Sequence, residues 1–171
     1  NLALRSHLDQ LSFASYLSEL IDALFELHGA HPALFDLLQQ AFEWFQKVKP
    51  SAVARVFEVK ALQELGWLPI LDRCAVCGTT GFIRAYFSPR QGGLLCPVCD
   101  RKERGSIPLS NEGVQSLRLF LQSGFDSAVQ LQLDLKTRRE LERALYQFIQ
   151  FRLERPLRTP HFLSQVRPVL V

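Results

Sequence analysis

The chain has 171 residues, 47% of them hydrophobic and 22% charged, which suits one globular domain with a substantial core. No run approaches the ~18 uninterrupted apolar residues of a membrane span. Residues 1–20 carry Arg5, His7, Asp9 and Glu19 where a signal peptide would have its apolar centre, so the expectation is a soluble cytoplasmic chain. Asn1 opens a chain without methionine, which implies that a segment upstream is missing. The formal net charge of +3 is unevenly placed. Residues 1–71 hold five Lys and Arg against eight Asp and Glu (−3), and residues 72–171 hold fifteen against nine (+6). A basic second half is compatible with a polyanionic partner such as nucleic acid, although a charge run is more often just a solvated face.

Leu8, Leu11, Phe13, Tyr16, Leu17, Leu20, Ile21, Leu24 and Leu27 recur at helical spacing, and Gly29 supplies a stop. His31-Pro32 opens a second helix whose inner face is read as Leu34, Leu37, Leu38, Ala41, Phe42 and Phe45, with Pro50 beyond its end. A third is expected from Ser51, as N-cap, through Val53, Val56, Phe57, Ala61, Leu62 and Leu65 to Gly66. Three short-linked helices predict an antiparallel bundle.

Between Pro69 and Pro108 that rhythm gives way to Gly, Pro, Cys and single apolar residues. Phe82, Ile83, Ala85, Tyr86 and Phe87 read as a strand, and Leu94-Leu95 as its partner across the Ser88-Pro89-Arg90-Gln91-Gly92-Gly93 turn. Helical spacing resumes after Ser110 with Val114, Leu117, Leu119, Phe120 and Leu121, and a short piece follows around Ala128 to Leu133. A longer helix is expected from Thr137, with Glu140 completing a capping box, through Leu141, Leu145, Phe148, Ile149 and Phe151 to Pro156. The fold class is therefore mostly α: a helical bundle formed by residues 1–71 and 106–171, with a small inserted module at 72–105 that carries a short β-ribbon.

All four cysteines lie in two C-x-x-C pairs, Cys74/Cys77 and Cys96/Cys99, separated by eighteen residues. Two residues between ligands let one tight turn aim both sulfurs at a single ion, so the pattern reads as a four-thiolate zinc ribbon. Disulfides suit oxidising compartments, which nothing here indicates, and redox C-x-x-C motifs come singly. Iron fits the same cage. Four protein ligands leave no position for water, so Zn²⁺ would be structural.

His7, His28, His31 and His161 are scattered, and no phosphate loop, nucleophile elbow or dinucleotide fingerprint occurs, so catalytic residues are not assigned and no enzymatic activity is expected. Two basic groups are candidate phosphate contacts. Arg84, Arg90, Arg101, Lys102 and Arg104 belong to the module; Lys136, Arg138, Arg139, Arg143, Arg152, Arg155 and Arg158 belong to the late helix and its exit. Glu140, Glu142 and Glu154 dilute the second group.

The run Phe57-Glu58-Val59-Lys60-Ala61-Leu62-Gln63-Glu64-Leu65-Gly66-Trp67-Leu68-Pro69, then Leu71-Asp72-Arg73-Cys74-Ala75-Val76-Cys77-Gly78, resembles the RecO family of bacterial recombination mediators. So do Phe87-Ser88-Pro89 with Gly92-Gly93-Leu94-Leu95-Cys96-Pro97-Val98-Cys99 and, more loosely, Leu157-Arg158-Thr159-Pro160-His161-Phe162-Leu163. The resemblance implies a DNA repair and recombination mediator of the RecF-pathway type. Such a protein binds single- and double-stranded DNA, anneals strands, and works with RecR and the acidic tail of single-stranded DNA-binding protein in the cytoplasm, associated with the nucleoid. It also implies an N-terminal OB-fold that this chain lacks, and relatives without the cysteines. The alternative is a zinc-stapled docking scaffold whose DNA contacts reside in that missing domain.

Overall fold

The structure is a computed structural model, which describes residues 2–29, 31–153 and 156–159; of the side chains of residues 2–7, 27 and 28 nothing is stated. Seven helices and three strands follow in order among these residues. They are α1 (Leu2–His28), α2 (Pro32–Trp44), α3 (Pro50–Glu64), β1 (Ala85–Ser88), β2 (Gly93–Leu95), α4 (Pro97–Asp100), β3 (Ile107–Leu109), α5 (Asn111–Gln122), α6 (Phe125–Val129) and α7 (Leu135–Leu153).

Helix α3 is the axis of the bundle and touches α1, α2, α5, α6 and α7. Every residue from Val53 to Val59 is buried, so α3 has no solvent stripe in its middle. Two of those residues are charged. Arg55 and Glu58, one helical turn apart, form a salt bridge inside the core, and Tyr16 of α1 donates to the same Glu58 Oε1 at 2.6 Å. Glu58 is 0% and Arg55 7% exposed. The Tyr16 bond ties the register of α1 to α3, because a slip would leave the buried Glu58 carboxylate without the hydroxyl that α1 supplies to it.

Helix starts differ from the sequence reading in two places. Proline suits the first turn, where its missing N–H is unused, so α3 begins at Pro50 with Lys49 as N-cap and Ser51 already inside. Helix α7 begins at Leu135, and Asp134 Oδ1 accepts from the Thr137 amide at 2.7 Å. Glu140 does not return to Thr137; its Oε2 accepts from the Ser110 amide at 2.8 Å and from the Ser110 hydroxyl at 2.6 Å. Ser110 in turn caps α5 by accepting from the Gly113 amide at 3.1 Å. Phe42, read as an inner residue, is 38% exposed, because the inward stripe of α2 passes through Leu34 and Ala41. The short late helix lies at Phe125–Val129, slightly earlier than its apolar residues indicated.

The strands form one antiparallel sheet in the order β2-β1-β3, with Phe87 opposite Leu94 and Ile107. Phe82 and Ile83 lie outside β1, and Ile83 is 98% exposed. Strand β3 has no counterpart in the sequence reading; its Pro108 sits at the edge, where a missing donor is tolerated. The sheet has two covered faces. Phe87, Leu94, Ile107 and Leu109 belong to the helical core, whereas Leu95 and Tyr86 pack with Cys74 and Cys96. Phe87 meets Phe148 of α7 edge to face at 5.4 Å.

Ile70 crosses β2 so closely that a Cβ on Gly93 would lie 2.5 Å from the Ile70 carbonyl oxygen. The Ile70 amide donates to the Gly92 carbonyl at 2.9 Å, and the Leu94 amide donates back to Ile70 O at 2.8 Å. Gly93→Ala is expected to destabilise the chain by ~1–3 kcal/mol, since rigid backbone must move; an unchanged urea midpoint would refute the close approach.

Burial pushes Glu58 up to about 7, against the pull of Arg55 and the Tyr16 hydrogen bond, with Glu142 adding to the rise. An acid raised in this way binds more protons folded than unfolded. Its contribution is present below its ordinary 4.5 and is lost as pH rises through about 7. Between those values the urea midpoint of the parent chain should fall relative to that of Glu58→Gln, and parallel profiles would contradict this.

Candidate metal centre and basic surface

Two knuckles bring the cysteines together. In the first, the Cys74 amide donates to Thr79 O at 2.8 Å and the Gly78 amide donates to Cys74 O at 2.9 Å. Gly78 sits at φ +73°, a value that costs glycine little. The second starts where β2 ends: Cys96 is the N-cap of α4, and the Asp100 amide donates to its carbonyl at 3.0 Å. The Ala75 amide, donating to Leu94 O at 2.7 Å, fastens the first knuckle to the strand that leads into the second.

The four Sγ atoms consequently lie within 4.8 Å of one another. None is in a disulfide, and Cys77 Sγ and Cys96 Sγ are 3.8 Å apart. A tetrahedral ion with sulfur ligands at ~2.3 Å spaces its sulfurs by roughly 3.8 Å, so the separation fits a metal cage. Cys74 and Cys96 are buried, Cys99 is half-buried and Cys77 is exposed. Among the described residues this is the cluster of metal-type donors.

The electrostatics of the thiols favour a cation between them. Hydrogen bonding with the Thr79 hydroxyl, 3.2 Å away, and with the Thr79 amide holds Cys77 down to about 6. Burial works against ionisation of Cys74, but amides of Cys77, Cys96 and Val76 outweigh it and bring the thiol below its ordinary value. Cys99, hydrogen-bonded to Cys77, is pushed up to about 12. The surroundings therefore welcome the first thiolates and resist the last, a conflict that a divalent ion at the centre removes. The donor set is consistent with a structural metal.

The basic candidates divide by environment. Arg84, Arg90, Arg101, Lys102 and Arg104 on the module are exposed, as are Arg139 and Arg143 on α7. Arg138 is half-buried and its Nε donates to Leu133 O at 2.8 Å, so it is engaged at the start of α7. Lys136 lies 3.9 Å from Glu140. Arg158 is exposed, and its amide donates to Glu19 Oε1 at 2.6 Å. Arg155 lies outside the described residues, as do residues 160–163.

Two contacts join groups far apart in sequence. Gln91 Nε2 donates to Glu103 Oε2 at 3.2 Å, drawing the hairpin turn to the segment with Lys102 and Arg104. A Cβ on Gly92 would lie 3.2 Å from Arg152 Nη2, so the same turn also meets α7. Arg152 is half-buried, its guanidinium 5.0 Å from the Phe148 ring centre. Two further arginines have structural work that the sequence reading passed over. Arg118 donates from Nε to Leu71 O at 3.1 Å, and Arg55 serves the core. For Arg55 a signal existed, an arginine and a glutamate one turn apart within an apolar run; for Arg118 there was none.

The family model described as "Recombination protein O C terminal" matches residues 5–161. A "DNA repair protein RecO" of Moorella thermoacetica is 31% identical over 165 residues, which cover 95% of this chain and 62% of that protein. The protein of the same description from Symbiobacterium thermophilum is 32% identical, with 96% and 67% covered. That from Anaeromyxobacter dehalogenans is 33% identical, with 98% and 67% covered. The chain thus spans about two thirds of the length of these relatives.

Proposed function

The chain belongs to the family of the recombination protein O C-terminal region, and on that premise we propose that it is the helical, metal-bearing part of a DNA repair and recombination mediator. Its work is to bind DNA and partner proteins so that strands anneal and a recombinase is loaded, with RecR and single-stranded DNA-binding protein as partners. None of these steps is covalent chemistry. The observation that carries the reading is the family match over residues 5–161, a span that takes in the bundle, the cysteine module and α7. The setting would be the bacterial cytoplasm at the nucleoid, with residues 72–105 as a module within the helical domain and an OB-fold expected ahead of it.

The ion that best fits Cys74, Cys77, Cys96 and Cys99 is Zn²⁺, because the Cys77–Cys96 sulfur separation of 3.8 Å matches a tetrahedral edge and four thiolates would close the coordination. Zinc there would neutralise the thiolates and hold the two knuckles against β2. One zinc per chain is expected. Its removal by a chelator under reducing conditions should open residues 72–105 to protease while the helical circular dichroism largely persists. An unchanged protease pattern after verified metal loss would overturn the structural role.

A groove of about 530 Å³ between α2 and α3 gives the docking-scaffold alternative an observation of its own. Asp36, Glu43 and Glu64 line it, so it repels an acidic tail. Salt dependence separates the two readings. Binding of a fluorescent single-stranded oligonucleotide should weaken steeply as salt rises, and Arg139→Ala/Arg143→Ala should lower the affinity several-fold. No binding at low salt would leave docking as the function of this part of the protein.

A further inference from the structure

We propose that the hairpin turn between β1 and β2 and the C-terminal end of α7 together form a phosphate cradle, in which Arg152, Arg90, Lys102 and Arg104 grip the backbone of a single nucleic-acid strand. The inference rests on the DNA-binding reading above and gives it a place on the molecule.

The cradle begins with a rigid turn. The Gly92 amide donates to Ser88 O at 3.0 Å, the Gln91 amide donates to Ser88 Oγ at 3.1 Å, and Ile70 holds the far side through Gly92 O. Gly92, at φ +71°, presents bare backbone toward α7, and Arg152 Nη2 occupies the space beside it. Arg152 is itself held from below, because Phe148 under its guanidinium is wedged edge to face against Phe87, the residue that precedes Ser88. The fork is thus oriented before any ligand arrives.

Charge gives the cradle its ligand. Arg152 is half-buried, makes no salt bridge among the described residues, and its Nε has no hydrogen-bond partner among them. A partly desolvated guanidinium without a counterion is unfavourable unless an anion comes to it. The acid fixed to this turn is Glu103, engaged by Gln91, and it brings the exposed Lys102 and Arg104 with it; Arg90 is exposed on the turn itself. Four cations therefore belong to the segments that meet at this turn, against the carboxylates of Glu103, which Gln91 engages, and of Asp100, which Ser106 engages. Phosphate suits the arrangement, since an arginine fork bonds two of its oxygens. A continuous strand matches cations spread over a turn, a neighbouring segment and a helix end better than one free phosphate does.

The test uses the metal-replete chain and a fluorescent single-stranded oligonucleotide, titrated over a series of salt concentrations. Arg90→Ala/Lys102→Ala changes only exposed side chains and should reduce the slope of log K against log salt by about 1.4, roughly 0.7 for each phosphate left without its cation. Arg152→Lys keeps the charge but removes the fork, and should weaken binding roughly fivefold with the thermal midpoint little changed. Salt-sensitive binding whose slope and affinity ignore both variants, while Arg139→Ala/Arg143→Ala weakens it, would overturn the cradle and leave the DNA-binding reading intact. No salt-sensitive binding by the parent chain would overturn both. Inorganic phosphate at constant ionic strength should compete no better than chloride; stronger competition would reassign the cradle to free phosphate.

Discussion

Successive side chains of a strand point to opposite sides, and in this molecule that alternation joins two cores that would otherwise be unrelated. On β2, Leu94 belongs to the helical core and Leu95 to the cysteine cluster; on β1, Phe87 and Tyr86 divide in the same way. An isolated ribbon of three- and four-residue strands would be marginal in water. Here one face is buried on α7 through Phe87 and Phe148, and the other is closed by the knuckles. A shift of register by one residue would send every one of these side chains to the wrong face. The close crossing of Ile70 over Gly93 forbids such a shift, which explains why a residue without a Cβ stands there.

Much of this was legible in the sequence, for reasons that can be named. Helices α1 to α3 showed themselves by apolar spacing, and Cys74, Cys77, Cys96 and Cys99 by a ligand pattern that is local and chemically narrow. What failed depended on partners remote in sequence. Glu140 reads as the end of a capping box with Thr137, yet its carboxylate goes to Ser110, thirty residues earlier. Strand β3 is three residues long and centred on a proline, too short for any period to register, and exists because β1 offers it an edge. Phe42 obeys the helical spacing but faces outward because the bundle covers only one side of α2.

The basic residues show the same limit more sharply. In the sequence, Arg90 and Lys102 belong to the module, and Arg152 to a helix fifty residues further on. Periodicity cannot relate them, since the relation runs through a glycine turn, a glutamine-glutamate hydrogen bond and a stacked phenylalanine. Composition announced a basic half of the chain without distinguishing a cation in service to the fold, such as Arg118 on the Leu71 carbonyl, from one turned toward a partner. Only placement separates the two kinds.

The shared sheet also sets how the module and the bundle communicate. Cys96 follows β2 directly and caps α4, and the Cys99 carbonyl accepts from the Lys102 amide at 3.1 Å. The path from the cysteine cluster to the cations beside the hairpin turn is therefore a few covalent and hydrogen bonds long. An ion bound by Cys96 and Cys99 would stiffen that segment without touching a ligand, and so would act on binding through the entropy of the turn. Such an ion would play a supporting role, steadying a surface that the sheet and α7 already position.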